Sequence, residues 1–90
     1  MSIIKLPTQL RDVAGGNAEI TVEGSTVGGA LEALFVQYEE LRGRITEDGE
    51  LRRFVNVYVG GEDIRFGEGL ETTVSDGDEI TILPAVAGGR

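Results

Sequence analysis

Apolar and polar positions alternate along residues 2–6, with Ile4 and Leu6 on one side and Ile3 and Lys5 on the other, until Pro7 removes a backbone donor. This predicts a first strand. Gly15-Gly16-Asn17 supplies turn chemistry, and residues 18–23 alternate strictly, so a second strand is expected with Ile20 and Val22 inward and its Glu and Thr side chains outward. The two should pair as a hairpin around a loop over residues 7–16 that is longer than a tight turn. The period then changes. Val27, Ala30, Leu31, Leu34, Phe35 and Tyr38 recur at spacings of three and four behind the capping hydroxyls of Ser25 and Thr26, which predicts an amphipathic helix of about four turns ending near Gly43. Gly28-Gly29 in its first turn weakens that helix unless close packing or an irregular start compensates. Residues 44–50 read as a solvated loop. Residues 51–59 are rich in β-branched and aromatic side chains, Gly60-Gly61 is a two-residue turn signal, and a short strand over residues 62–66 completes a second hairpin. Residues 67–75 show no period, Asp76-Gly77-Asp78 is a turn, and residues 79–83 form the last strand, which Pro84 stops.

The predicted order is strand, strand, helix, strand, strand, strand and tail. A helix between two hairpins, with a last strand able to insert between the first and third, is the β-grasp arrangement of ubiquitin. The fold class is therefore α+β: a mixed four- to five-stranded sheet with one main helix, one face covered and the other wet. The division this implies is a β-grasp domain over residues 1–83 and a flexible Gly-Gly tail over residues 84–90.

Composition narrows the chemistry. The sequence has 90 residues, room for one domain, and contains no Cys, His or Trp. Thiolate-ligated metal sites, His-based triads and imidazole acid–base catalysis need residues this chain lacks, and no metal site is expected. The net charge of −8 opposes nucleic-acid phosphates and anionic membranes, so neither is expected as a partner, and acidic rim residues are available to steer a basic protein. Lys5 is the only Lys, and most Arg residues have acidic sequence neighbours, which predicts no basic stripe on any face. No secretory h-region or apolar run of membrane-spanning length is visible, giving a cytoplasmic expectation.

Of the four Gly-Gly pairs, those at 15–16, 28–29 and 60–61 sit at turns or a helix start, and Asp76-Gly77-Asp78 lacks the downstream ligands of a cation loop. No dinucleotide or P-loop fingerprint occurs. Gly88-Gly89 differs because it follows a strand, a Pro and three small apolar residues. Such a tail reaches about 20 Å at ~3.3 Å per residue, and two residues without Cβ atoms pass through a channel that side chains would block. The competing reading is an ordinary frayed terminus.

The run from Asp76 through Ile80, Ile82, Leu83, Pro84, Ala85, Val86 and Ala87 to Gly88-Gly89 resembles the C-terminal signature of the ubiquitin-like sulfur carriers of the MoaD/ThiS superfamily. Leu6-Pro7-Thr8-Gln9-Leu10-Arg11, Thr26-Val27-Gly28 and Arg53-Phe54-Val55-Asn56-Val57-Tyr58-Val59 extend the resemblance over nearly the whole chain. Within the superfamily, the tail and Phe54-Val55-Asn56 are most similar to the carrier of thiocarboxylate-dependent cysteine biosynthesis. The resemblance implies that the protein is a cosubstrate and not an enzyme, with the Gly89 carboxylate as reacting group and Pro84, Ala85, Val86, Ala87 and Gly88 as the recognised tail. It implies no bound cofactor, with ATP used by an E1-like adenylating and sulfurtransferase enzyme. The further partners implied are a pyridoxal-phosphate-dependent cysteine synthase acting on an activated serine and a zinc-dependent peptidase. Sulfur delivery to molybdopterin, thiamine or tRNA, conjugation to target lysines, and non-covalent binding are the alternatives. Arg90 departs from the pattern because it covers the Gly89 carboxylate. It is either a natural extension that a peptidase removes or a remnant of expression, and the form that carries it should be an inactive precursor.

Strand parity adds a docking surface. If Ile4, Leu6, Val55, Val57, Ile80 and Ile82 face the helix, then Ile3, Lys5, Phe54, Asn56, Tyr58, Thr81 and Leu83 face solvent. Ile3, Phe54, Tyr58 and Leu83 are the expected partner contacts, with Ile3, Phe54 and Leu83 gathered beside the exit of the tail.

Overall fold

The computed structural model describes residues 1–53 and 55–84. Strands β1 (Ser2–Lys5) and β2 (Glu19–Val22) form the first hairpin, in register from Ser2 opposite Val22 to Lys5 opposite Glu19. Their connection is more ordered than a plain loop. Helix α1 (Thr8–Arg11) and a 3-10 turn over Asp12–Ala14 occupy it, and the turn ends on Gly15 at φ 67° and Gly16 at φ 85°. Ile20 and Val22 are buried while Glu19, Thr21 and Glu23 are exposed, as the alternation requires.

Helix α2 (Val27–Gln37) lies across one face of the sheet and buries Val27, Ala30, Leu31, Leu34 and Phe35. Thr26 caps it, its Oγ1 accepting from the Gly29 amide at 3.1 Å. Close packing accounts for Gly28, where a Cβ would stand 3.1 Å from the Leu70 carbonyl oxygen. The helix is a turn shorter than its period suggests, because the backbone leaves helical geometry at Tyr38 (φ −136°, ψ 83°). Helix α3 (Glu40–Ile45) then runs through Gly43 and inserts Leu41 and Ile45 into the core. Arg42 ties α3 back to α2: its Nη1 donates to both Glu32 carboxylate oxygens at 2.9 and 3.1 Å, and the guanidinium lies 5.1 Å from the Phe35 ring centroid. The expected loop after Gly43 is thus partly helix. The rest of it is a two-residue ladder of β3 (Thr46–Glu47) with β4 (Glu50–Leu51), so Leu51 belongs to this ladder and not to the following strand.

Strand β5 (Val55–Val59) pairs with the short β6 (Glu62–Asp63) across Gly60 and Gly61, whose φ values of 60° and 87° suit a primed hairpin turn. The expected strand to Phe66 ends early, because Asp63 accepts the Arg65 amide at 2.9 Å and starts a 3-10 turn that buries Ile64. Ser75 to Asp78 form the predicted turn, with Gly77 at φ 86°. The N-terminal ammonium bonds to Asp76 and holds its carboxyl below the usual range. Strand β7 (Glu79–Pro84) extends one residue beyond expectation, to Pro84 opposite Val55.

The sheet order is β2-β1-β7-β5-β6. Only the β1–β7 pairing in it is parallel, so the last strand sits in the middle. Ile4, Val55, Val57, Ile80 and Ile82 meet α2 and α3 in one core, and the opposite face is open. The architecture is the ubiquitin-like β-grasp.

Candidate functional site at the tail exit

Strand β7 ends at Pro84, and the Gly-Gly segment follows it in the sequence. Ala85, Val86, Ala87, Gly88, Gly89 and Arg90 lie outside the described residues, as does Phe54, so the expectations that fall on them concern chemistry and not observed geometry. The backbone of Pro84 is placed by its pairing with Val55. Among the described residues no group of His, Cys, Asp or Glu is arranged to hold a metal ion, and no helix is long and apolar enough to cross a membrane.

Leu83 is the exposed apolar residue at this exit, with 44% of its surface accessible, whereas Ile82 retains 1%. The difference is strand parity: successive side chains of β7 point to opposite faces. Asn56 lies opposite Leu83 on the β5 side, Tyr58 lies opposite Thr81, and Tyr58 is half-buried on the same open face. Ile3 shares that face but not that end. It pairs with Glu79, four residues before Leu83, or about 13 Å along the strand. Parity assigned its face, but the parallel register of β1 against β7 sets its height, so Ile3 does not gather beside the exit.

Polar and basic side chains lie beside Leu83. Lys5, opposite Thr81, and Arg11, on α1, line the β1 side of the exit together with Pro7, Thr8 and Gln9. Arg44 and Arg52 line a separate cavity on the helix-covered side of the sheet, next to Leu10, Val55 and Ile82. Arg53 follows in the turn that leads to β5. Arg65 reaches across from the 3-10 turn: its Nη1 donates to Asn56 Oδ1 at 2.8 Å, and its Nη2 to the carbonyls of Val55 at 2.8 Å and Arg52 at 2.9 Å. Carboxylates are interleaved with these cations: Lys5 pairs with Glu79 at 3.2 Å, Arg44 with Glu40 at 3.7 Å and Arg52 with Glu47 at 3.8 Å. Lys5, Arg11 and Arg65 come from separate segments of the chain, and the meeting of β1, β7 and β5 brings them to this end of the sheet.

Arg65 is a positioning residue for this end of the sheet. Its guanidinium fixes the segment opposite Leu83 and Pro84 through a fork that a lysine ammonium cannot reproduce. Arg65→Met should cost about 1–2 kcal/mol of stability, and Arg65→Lys should restore only part of it. Hydrogen exchange is the sharper readout: the Val55 amide, which donates to Arg52 O at 3.1 Å, should exchange faster in both variants.

A β-grasp sheet with its C-terminal strand in the centre and a Gly-Gly segment beyond it defines the ubiquitin-like carrier and modifier class. Within that class, residues 4–89 match the ThiS family, and the chain belongs to it. The match stops at Gly89, leaving Arg90 outside. The chain is 44% identical over 89 residues to the sulfur carrier protein CysO of Mycobacterium tuberculosis, covering 96% of each. Its fold superposes with a TM-score of 0.92 and 42% identity on a chain of the Amycolatopsis orientalis BexX/CysO complex, covering 99% of this chain and 100% of that one. It also resembles small archaeal modifier protein 1 of Methanosarcina acetivorans, at a TM-score of 0.86 and 38% identity over 98% of this chain and 95% of that one.

Proposed function

We propose that this protein is a sulfur carrier for cysteine biosynthesis, acting as a cosubstrate through a thiocarboxylate on Gly89. The observation that carries the reading is the family match over nearly the whole chain that ends on Gly89, joined to the likeness to CysO. Removal of Arg90 frees the Gly89 carboxylate. An oxygen of that carboxylate attacks the α-phosphorus of ATP on an E1-like enzyme and expels pyrophosphate, giving an acyl adenylate. A sulfur nucleophile then displaces AMP. The steps are needed because a carboxylate is a poor electrophile, and the sulfur so bound is delivered as a tethered nucleophile instead of diffusing free. The chain carries no Cys, so no internal thiol competes for the activated carbonyl.

The acceptor in this reading is an activated serine, such as O-phosphoserine or O-acetylserine, on a pyridoxal-phosphate-dependent synthase. The sulfur displaces the leaving group and the serine carbon skeleton becomes a cysteine adduct. A peptidase, a zinc enzyme in this scheme, hydrolyses the adduct to cysteine and regenerates the Gly89 carboxylate. The whole cycle belongs to the cytoplasm, and ATP is consumed by the partner instead of being held by this chain.

Mass spectrometry tests the central step. Protein ending in Gly89, incubated with the adenylating enzyme, ATP and sulfide, should gain about 16 Da, the exchange of one oxygen for sulfur. Protein ending in Arg90 should gain nothing; equal gain would end the precursor reading. Loaded protein should then yield cysteine from O-phosphoserine or O-acetylserine. Formation of molybdopterin, thiamine thiazole or thiolated tRNA instead would reassign the acceptor. The likeness to a small archaeal modifier favours a second reading, conjugation of Gly89 to target lysines. It predicts a ladder of larger bands on a denaturing gel, which thiocarboxylation does not produce.

A further inference from the structure

On the helix-covered side of the sheet a groove of about 270 Å³ opens against Ile82 and Val55. Its apolar lining is Pro7, Leu10, Val55 and Ile82, and the half-exposed side chains of Arg44 and Arg52 complete it. Neither guanidinium is fully engaged. Arg44 Nη2 stands 3.7 Å from Glu40 and makes no hydrogen bond among the described residues. Arg52 donates through Nε to the Gly43 carbonyl at 2.8 Å, but its Nη1 stands 3.8 Å from Glu47. Both carboxylates lie beyond hydrogen-bond range, so the outer N–H groups of both arginines have no protein acceptor among the described residues. The groove also meets the root of the tail. Strand β7 ends on Pro84, whose backbone pairs with Val55, and Ile82 lies two residues back, about 7 Å along the strand. Residues 85–89, Ala-Val-Ala-Gly-Gly, reach about 16 Å at ~3.3 Å each, enough to double back over Ile82.

We infer that this groove is the seat of the chain's own tail, with Val86 and Ala87 on its apolar floor and the Gly89 carboxylate, once Arg90 is removed, between Arg44 and Arg52. Two complementarities select this occupant. Ala85, Val86 and Ala87 are small and apolar, so they leave water for a surface of their own kind, and Gly88-Gly89 turns freely toward the arginines. The end of the tail is an anion, and two guanidinium groups with free donors are a receptor shaped for a carboxylate. Tethering supplies the rest: an end held within a few residues of its seat has a high effective concentration there, so a contact too weak to hold a separate peptide is populated. Arg90 opposes the contact, because it carries the carboxylate one residue further and brings a third guanidinium toward the other two. The groove thus distinguishes the processed tail from its precursor. A seated tail cannot thread into another protein, so the groove sets the fraction of chains ready to react and weakens apparent affinity by that fraction. The inference needs no partner enzyme and stands or falls apart from the sulfur-carrier reading.

Methyl NMR of the chain ending in Gly89, compared with a chain ending in Pro84, tests the seat. Two residues of α1 report on it: Leu10 lines the groove, while Thr8 lines the separate cavity beside Leu83, and both are remote in sequence from the cut. The Leu10 methyl signals should shift between the two chains and the Thr8 methyl signal should not. Arg44→Gln should return the Leu10 signals most of the way to those of the cut chain. Val86→Ser, which alters the tail and leaves the folded body untouched, should do the same and keeps the test decisive if Arg44→Gln disturbs α3. The chain ending in Arg90 should resemble the cut chain, and the shifts should persist on dilution. Leu10 signals that are identical with and without the tail would overturn the seat. Movement of Thr8 in place of Leu10 would put the tail in the other cavity, and shifts that vanish on dilution would give the groove to the tail of a second copy; either result overturns the inference.

Discussion

Ile82→Glu should abolish folding, while Leu83→Glu, one residue further on, should leave the melting temperature nearly unchanged and weaken binding to the adenylating enzyme at least tenfold. Ile82 is 1% exposed in the core between β7 and the helices, and replacing it forfeits about 1.5–3 kcal/mol of apolar burial. The carboxylate that replaces it has no buried cation to meet, at a further cost of several kcal/mol. A domain of this size has only about 5–15 kcal/mol to lose. Leu83 is 44% exposed on the opposite face, and a carboxylate there meets Lys5 and Arg11 instead of apolar side chains. It would replace an exposed apolar contact by a charge, and a tenfold loss corresponds to about 1.4 kcal/mol of binding. Circular dichroism and titration of the two variants separate these outcomes. Unfolding of Leu83→Glu would mean that the faces of β7 are reversed.

Gly24→Ala should be the most damaging glycine substitution. A Cβ at Gly24 would stand 2.6 Å from the Ala30 amide nitrogen and 2.9 Å from both the Ala30 Cα and the Gly29 carbonyl carbon. These are helix backbone atoms, which cannot swing aside as a side-chain end can. The first turn of α2 would have to move off β2, at about 3 kcal/mol or more. For a chain of this length that corresponds to roughly 15 °C in melting temperature. Gly43→Ala is the matched opposite: nothing lies within 4 Å of its Cβ position inside α3, so the variant should gain about 0.5–1 kcal/mol. Thermal melts of the pair decide it; a neutral Gly24→Ala would show that α2 is free to shift at its start.

The same contrast between local and assembled features explains what could be read from the sequence. The faces of β1, β2, β5 and β7 were legible, because alternation has a period of two and an error of one would turn Ile4, Val57 and Ile80 out into water. The cap at Thr26 and the turn glycines at 60, 61 and 77 were legible because each answers a requirement within four residues. Helix α3 was not, since Gly43 reads as a stop and only two residues, Leu41 and Ile45, mark its buried side. Helix α1 is a single turn and has no period to detect. The height of Ile3 along the sheet was hidden for another reason: a parallel pairing between strands at opposite ends of the chain leaves no local signature of its register. The cations beside Leu83 were hidden in the same way. Lys5 and Arg65 are sixty positions apart in the chain and are brought to the same end of the sheet only by the fold.

Among the described strands, the central one of the main sheet is also the last to be synthesised. Strand β1 can pair with β2 early in synthesis, but the two halves of the sheet are joined only when β7 enters between β1 and β5, so the sheet closes late and through distant pairings, the slow class of folding reaction. That order makes the folded body a proof of its own completeness. A chain cut short before Glu79 lacks the strand that joins the two halves of the sheet and should not fold. The folded body is therefore expected only in molecules synthesised through to the root of the tail.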